Sequence, residues 1–149
     1  KKYFINRLSI GIQSFHEPHL KSLNRIHNGQ EAENCVKISQ DIGIQNITID
    51  LIYAIPSENH AIFELDLQKA TALNTNHISA YCLTIEPKTV FAKWVKQGKI
   101  QVIDDDYAAT QFDMLVNHLI QSGFEQYEIL PKMKVIQDII RVIGNSQNT

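Results

Sequence analysis

Arg7-Leu8-Ser9-Ile10-Gly11-Ile12-Gln13 is an apolar strand pattern that runs out onto a polar amide, and the chain repeats the device twice more. In residues 47–55, Asp50 follows Ile47-Thr48-Ile49 and is followed by Leu51 and Ile52; in residues 78–85, Thr84 follows an apolar run, with Glu86 just beyond. Few charges interrupt these runs, the pattern of strands buried on both faces of a parallel sheet. Parallel sheets place ligands at the carboxyl ends of their strands, so a polar residue recurring on each strand outlines one binding site.

The segments between them read as crossover helices. Within residues 30–42, Ala32, Cys35, Val36, Ser39 and Ile42 share one helical face, with Gly43 placed to end the helix. Within residues 62–73, Phe63, Leu67, Ala70 and Leu73 do the same. Strand, helix, strand, helix, strand implies right-handed βαβ units, either an open doubly wound sheet or part of a barrel. Asp104, Asp105 and Asp106 read as the capped, dipole-matched start of a helix over residues 107–121 rather than as a metal site. Residues 124–129 read as one more short strand.

Composition narrows the function. A formal net charge of −2 and the lack of a Lys/Arg cluster give no electrostatic case for nucleic acid. Cys35 and Cys82 lie in different expected elements, which argues against a disulfide framework and fits a reducing cytoplasm. Both read as small core residues. No apolar stretch is long enough to span a bilayer. The chain starts at Lys1 inside a strand-like pattern, which suggests a piece of something longer. His16 and His19 have suggestive spacing but no third ligand nearby, so they read as solvated loop residues; His27, His60, His77 and His118 are isolated.

Three residues carry the candidate chemistry on their own merits. Gln13 ends a strand where its amide both donates and accepts hydrogen bonds. Asp50, set among isoleucines and leucines, is costly to bury without a cation, donors or a polar ligand. Arg25 sits in the polar turn of residues 23–28, where a guanidinium can reach over the strand ends and grip a carboxylate.

Together these residues carry a resemblance. Arg7 to Phe15, then Leu23-Asn24-Arg25, then Ile49-Asp50-Leu51-Ile52-Tyr53 resemble the second half of a radical S-adenosylmethionine protein. The nearest group is the oxygen-independent coproporphyrinogen III oxidase family with its heme-chaperone relatives; Gln13-Ser14-Phe15 and Thr84-Ile85-Glu86-Pro87 resemble the heme-chaperone branch. The resemblance implies an α/β fold, a parallel-stranded fragment of a TIM-type (β/α) barrel, over residues 1–129. S-adenosylmethionine would lie across the strand ends, with Gln13 and Asp50 on the ribose hydroxyls, Arg25 on the methionyl carboxylate and Thr84 in the adenosyl pocket. Heme or a porphyrin is the implied partner.

The resemblance also has limits. Its full members hold a [4Fe-4S] cluster on three closely spaced cysteines, and this chain has two distant ones, so radical chemistry by this polypeptide alone is not expected. Half a barrel would leave sheet edges open, which implies self-association. Ala54-Ile55 replaces the usual Gly-Leu before Pro56. After Ile129 the family pattern stops, and in the tail, residues 130–149, Ile136, Ile139, Ile140 and Ile143 fit an amphipathic helix. Two other function classes compete: a barrel hydrolase using Asp50 and Glu86 as paired carboxylates, and a noncatalytic scaffold.

Overall fold

The computed structural model of the chain describes residues 4–85, 90–100, 104–130 and 139–144. Its centre is three parallel strands, β1 (Arg7–Gln13), β2 (Asn46–Tyr53) and β3 (His77–Cys82), joined by helical crossovers. The first crossover carries α1 (Glu17–Ser22) and α2 (Gly29–Asp41); the second is α3 (Ala61–Ala72). Beyond β3 come α4 (Val90–Lys96), α5 (Asp105–Gln121), β4 (Phe124–Leu130) and β5 (Ile139–Gly144).

One face of the sheet makes the core. Ile47, Ile49, Leu51 and Tyr53 alternate along β2 onto that face, and Ile78, Ala80 and Cys82 continue it on β3. Ala32 and Val36 of α2, Phe63, Leu67 and Ala70 of α3, and Leu115 and Leu119 of α5 close over them. On the opposite face the same alternation sets Ser9, Thr48, Asp50 and Ser79.

The helices begin where the side chains say they should. Asn28 and Glu31 form a reciprocal capping box on α2, with Asn28 Oδ1 accepting from Glu31 N at 2.8 Å and Asn28 N donating to Glu31 Oε2 at 2.9 Å. Asp104 caps α5, accepting from Tyr107 N at 2.7 Å, the role expected of the acidic trio. Gly43 follows α2 at φ 86°, a conformation that costs glycine nothing.

Four expectations are corrected. Residues 139–144 form a strand, not part of a helix: β5 runs antiparallel between β3 and β4, giving the order β1-β2-β3-β5-β4, so the sheet is mixed. Isoleucine and valine dominate this segment; their branched Cβ atoms lose rotamer freedom in a helix and pack readily in a pleat, while two open strand edges there need partners. Cys35 is exposed, and so is Ile42, because the buried face of α2 centres on Ala32, Val36 and Ser39. His16 and His19 are not solvated loop residues: His19 lies in α1, started by Pro18, and is only 7% exposed, while His16 is half-buried. Asp50 sits within β2 rather than at its end, with three more strand residues beyond it.

Candidate functional site

The site is built around the end of β1. The register slips between Gly11 and Gln13: Gly11 pairs with Asp50, and Gln13 pairs with Leu51. Gln13 takes φ 71°, and Ser14 N donates to Ile12 O at 2.9 Å across it, a γ-turn in its strained, positive-φ form. For a glutamine that conformation costs about 1–3 kcal/mol, and it persists only where surrounding contacts hold it.

Those contacts come from three directions. His27 Nε2 donates to Ile12 O at 3.1 Å, fixing the carbonyl before the turn. Asp66, on the inward face of α3, accepts from Ser14 Oγ at 2.6 Å and from Phe15 N at 2.8 Å, fixing the two residues after it. Gly29, the first residue of α2, lies against the Phe15 carbonyl so closely that a methyl group there would overlap it, and Gly29 N donates to Glu17 Oε1 at 3.0 Å. The loop over the strand ends is thereby pinned at both its origin and its return.

The turn sends the Gln13 side chain back over its own strand. Its Nε2 lies 2.7 Å from where a Cβ on Gly11 would stand. Since Gly11 pairs with Asp50, that position is on the Asp50 face of the sheet. Ser9 Oγ, two residues earlier on the same face, donates to Asp50 Oδ2 at 3.3 Å. The amide of Gln13, 9% exposed, and the carboxylate of Asp50 therefore occupy one face on adjoining strands. Any side chain at position 11 would displace the amide, so glycine there is a requirement of close approach.

Arg25 and Thr84 sit at the same end of the sheet. Arg25 is exposed, in the turn whose His27 is bonded to the end of β1, and Arg25 N donates to Leu20 O at 2.9 Å. Thr84 is half-buried, two residues past β3, where Leu83 N donates to Tyr53 O at 2.9 Å and carries the strand pairing outward. Asp50 lies about 10 Å below that rim, three residues at about 3.3 Å each. Glu86, needed by the paired-carboxylate alternative, lies outside the described residues.

A second anchor holds the end of β2. Ala54 adopts φ 60°, and its N–H donates to Gln111 Oε1 of α5 at 2.7 Å. Gln111 Nε2 in turn donates to Tyr107 Oη at 3.1 Å, and Tyr107 Oη donates to Ile55 O at 3.2 Å. A left-handed backbone at Ala54 is the conformation glycine adopts most readily, in keeping with the glycine that the family resemblance implies there.

Two groups escape the sequence reading although a signal was available. Asp66 interrupts the apolar stripe of Phe63, Leu67 and Ala70 on α3, and Gln111 interrupts that of Leu115 and Leu119 on α5. A polar residue on a core-facing stripe must find a buried partner. Burial raises the Asp66 carboxyl above its ordinary 3.8, opposed by the hydrogen bonds from Ser14 and Phe15 and by the charges of His16 and Lys69. Burial, reinforced by the neighbouring His16 ring at 4.7 Å, pushes His19 from 6.5 down to about 4, so it is neutral at physiological pH.

The chain's two thiols do not converge: Cys35 is on the outer surface of α2 and Cys82 is buried on β3. Among the described residues no three His, Cys, Asp or Glu side chains gather as a metal site, and no helix is long and apolar enough to cross a membrane.

No family model matches the chain. Curated proteins do. It is 38% identical over 125 residues to the heme chaperone HemW of Escherichia coli, covering 83% of this chain and 32% of that protein. Against HemW of Bacillus subtilis it is 30% identical over 129 residues, 87% of this chain and 34% of that protein. Against the mitochondrial radical S-adenosyl methionine domain-containing protein 1 of Danio rerio it is 33% identical over 125 residues, 84% and 28% respectively. Among solved structures, the coproporphyrinogen III oxidase HemN of Escherichia coli, described as a radical SAM enzyme, superposes with a TM-score of 0.73 at 22% identity, over 97% of this chain and 31% of that one. The chain spans about a third of the length of these relatives.

Proposed function

This chain belongs with the HemW heme chaperones of the radical S-adenosylmethionine family, over about a third of their length, and from that premise we propose that it forms the sugar- and carboxylate-holding wall of an S-adenosylmethionine site in a heme-handling protein. The observation that carries the reading is the shared face of Gln13 and Asp50. A reversed glutamine amide on the same face as a carboxylate of the next strand offers three acceptor oxygens and two N–H donors to a vicinal diol. Arg25 pairs with the methionyl carboxylate from the turn above, and Thr84 lines the adenosyl pocket at the end of β3. In this reading their work is to bind and orient.

The [4Fe-4S] cluster of the family does not fit this chain's own residues. Cluster ligation takes three thiolates on one short loop, and Cys35 and Cys82 stand on separate elements facing different ways. The share proposed for this segment is therefore to hold the cofactor, not to ligate the cluster. The names of the relatives favour heme or a porphyrin as the cargo, with heme transfer ahead of coproporphyrinogen oxidation.

Isothermal titration with S-adenosylmethionine tests the reading. Weak binding by the natural chain, lost by at least about tenfold in Gln13→Ala and Asp50→Ala, is expected for the removal of charge-assisted or paired hydrogen bonds. Equal affinity in all three would overturn it. Hemin titration followed by absorbance then checks the cargo separately.

A further inference from the structure

We propose that Asp66 and Ser14 are a positioning pair whose task is to hold Gln13 in its left-handed turn and so aim its amide onto the Asp50 face. The ligand named for that face rests on the function proposed above; the positioning itself does not.

Four observations converge on it. The γ-turn at Gln13 is strained, and a strained turn in a loop relaxes unless its neighbours are fixed on both sides. The fixing is asymmetric. Before the turn, the pairing of Gly11 with Asp50 and the His27 bond to Ile12 O hold the chain; after it, β1 has ended and, among the described residues, the Asp66 side chain grips both Ser14 and Phe15. Asp66 is a carboxylate only 3% exposed on a helix face otherwise devoted to hydrocarbon, an expensive choice whose two oxygens accept from Ser14 Oγ and Phe15 N at once. Finally, the Ser14 hydroxyl is used twice, donating to Asp66 and accepting from His16 N at 3.1 Å, so a single side chain transmits the anchor to both ends of the following turn.

A simple stabilising role would leave the position of Gln13 untouched when the pair is broken. The decisive measurement is therefore the backbone chemical shift of Gln13 in an isotopically labelled chain, in which left-handed and extended residues differ in Cα and Cβ. Ser14→Ala and Asp66→Asn are made in parallel, and Ser14→Ala decides if Asp66→Asn fails to fold. The expected result is that Gln13 shifts move toward extended values while those of Ile47 and Ile49 stay in place. In the same samples, S-adenosylmethionine affinity falls in Ser14→Ala to within about twofold of the Gln13→Ala value, and the double variant Gln13→Ala/Ser14→Ala is no weaker, since two groups acting through one contact are not additive.

Unmoved Gln13 signals in a folded Ser14→Ala variant would overturn the proposal, whatever happens to stability. If Gln13 moves yet neither natural chain nor variants bind S-adenosylmethionine, the positioning stands and the ligand reading falls. If the natural chain binds and Ser14→Ala binds equally well with Gln13 unmoved, the ligand reading stands and the positioning falls.

Discussion

His19 makes the stability of this chain depend on pH. It is neutral in the fold because its folded-state pKa is about 4, against 6.5 unfolded. The unfolded state therefore binds more protons between those values, and stability falls as pH drops through that window. By pH 5 the loss from this one group amounts to about 2 kcal/mol. Asp66 works in the other direction: its raised carboxyl takes up a proton earlier in the fold than out of it, so acidification toward 3.8 relieves its burial. Between pH 7.5 and pH 5 the urea midpoint should accordingly fall for the natural chain and lose most of that fall in His19→Leu. A second residue-scale prediction concerns Gly29. Replacement by alanine drives a methyl group into the Phe15 carbonyl, which the clamped loop cannot move aside, and should cost about 2 kcal/mol or more in chemical denaturation.

Single residues differ in how much of this could be read ahead. Asp50 and Gln13 announce themselves by polarity inside apolar runs, and the structure sets both on one face. That the Gln13 amide turns back over Gly11 onto the Asp50 face was not legible, because a positive φ at glutamine has no propensity signature and its neighbours are contacted from α3 and α2, remote in sequence. His19 was misread since its burial depends on a six-residue helix begun by a proline, too short for any periodicity to show.

At the scale of elements, caps and anchors set the boundaries. Asn28→Ala removes the side-chain half of the box on α2 and should lower stability by about 1 kcal/mol, read as a shift in thermal midpoint. Gln111→Leu is the sharper experiment. It preserves the apolar stripe of α5 but strands the Ala54 N–H at the end of β2, a loss of about 1–3 kcal/mol, and amide exchange should quicken first at Ala54 rather than through α5 as a whole. The helical and strand periods located α2, α3, α5 and the first three strands to within a few residues. They failed at β5, where isoleucines at positions 139, 140 and 143 satisfy a helical stripe, while β-branching and the need of two strand edges for partners decide the outcome.

For the whole molecule, sheet order is the feature that governs stability. Among the described strands β4 is paired through its backbone with β5 alone, apart from a side-chain hydrogen bond of 2.7 Å between Tyr127 and His77 of β3, whereas β2 is paired on both sides by β1 and β3. Deleting residues 131–149 should abolish exchange protection in Phe124–Leu130 and leave that of Ile47, Ile49 and Ile78 intact; uniform loss across the sheet would mean that β5 is needed by the entire core. The parallel βαβ core was foreseeable from alternating strand and helix patterns, and the resemblance to the radical S-adenosylmethionine proteins was foreseeable from several linked motifs in order. The antiparallel insertion was not, because pairing partners far apart in sequence leave no mark on local pattern.

That insertion imposes an order of events during translation. Residues 124–130 leave the ribosome before residues 139–144, yet their route into the sheet passes through the later segment. The nascent β4 therefore waits without its backbone partner until its bridging strand is delivered. Slowing elongation between these two segments would lengthen that wait, and with it the interval in which an unsealed sheet is offered to chaperones or to a neighbouring nascent chain.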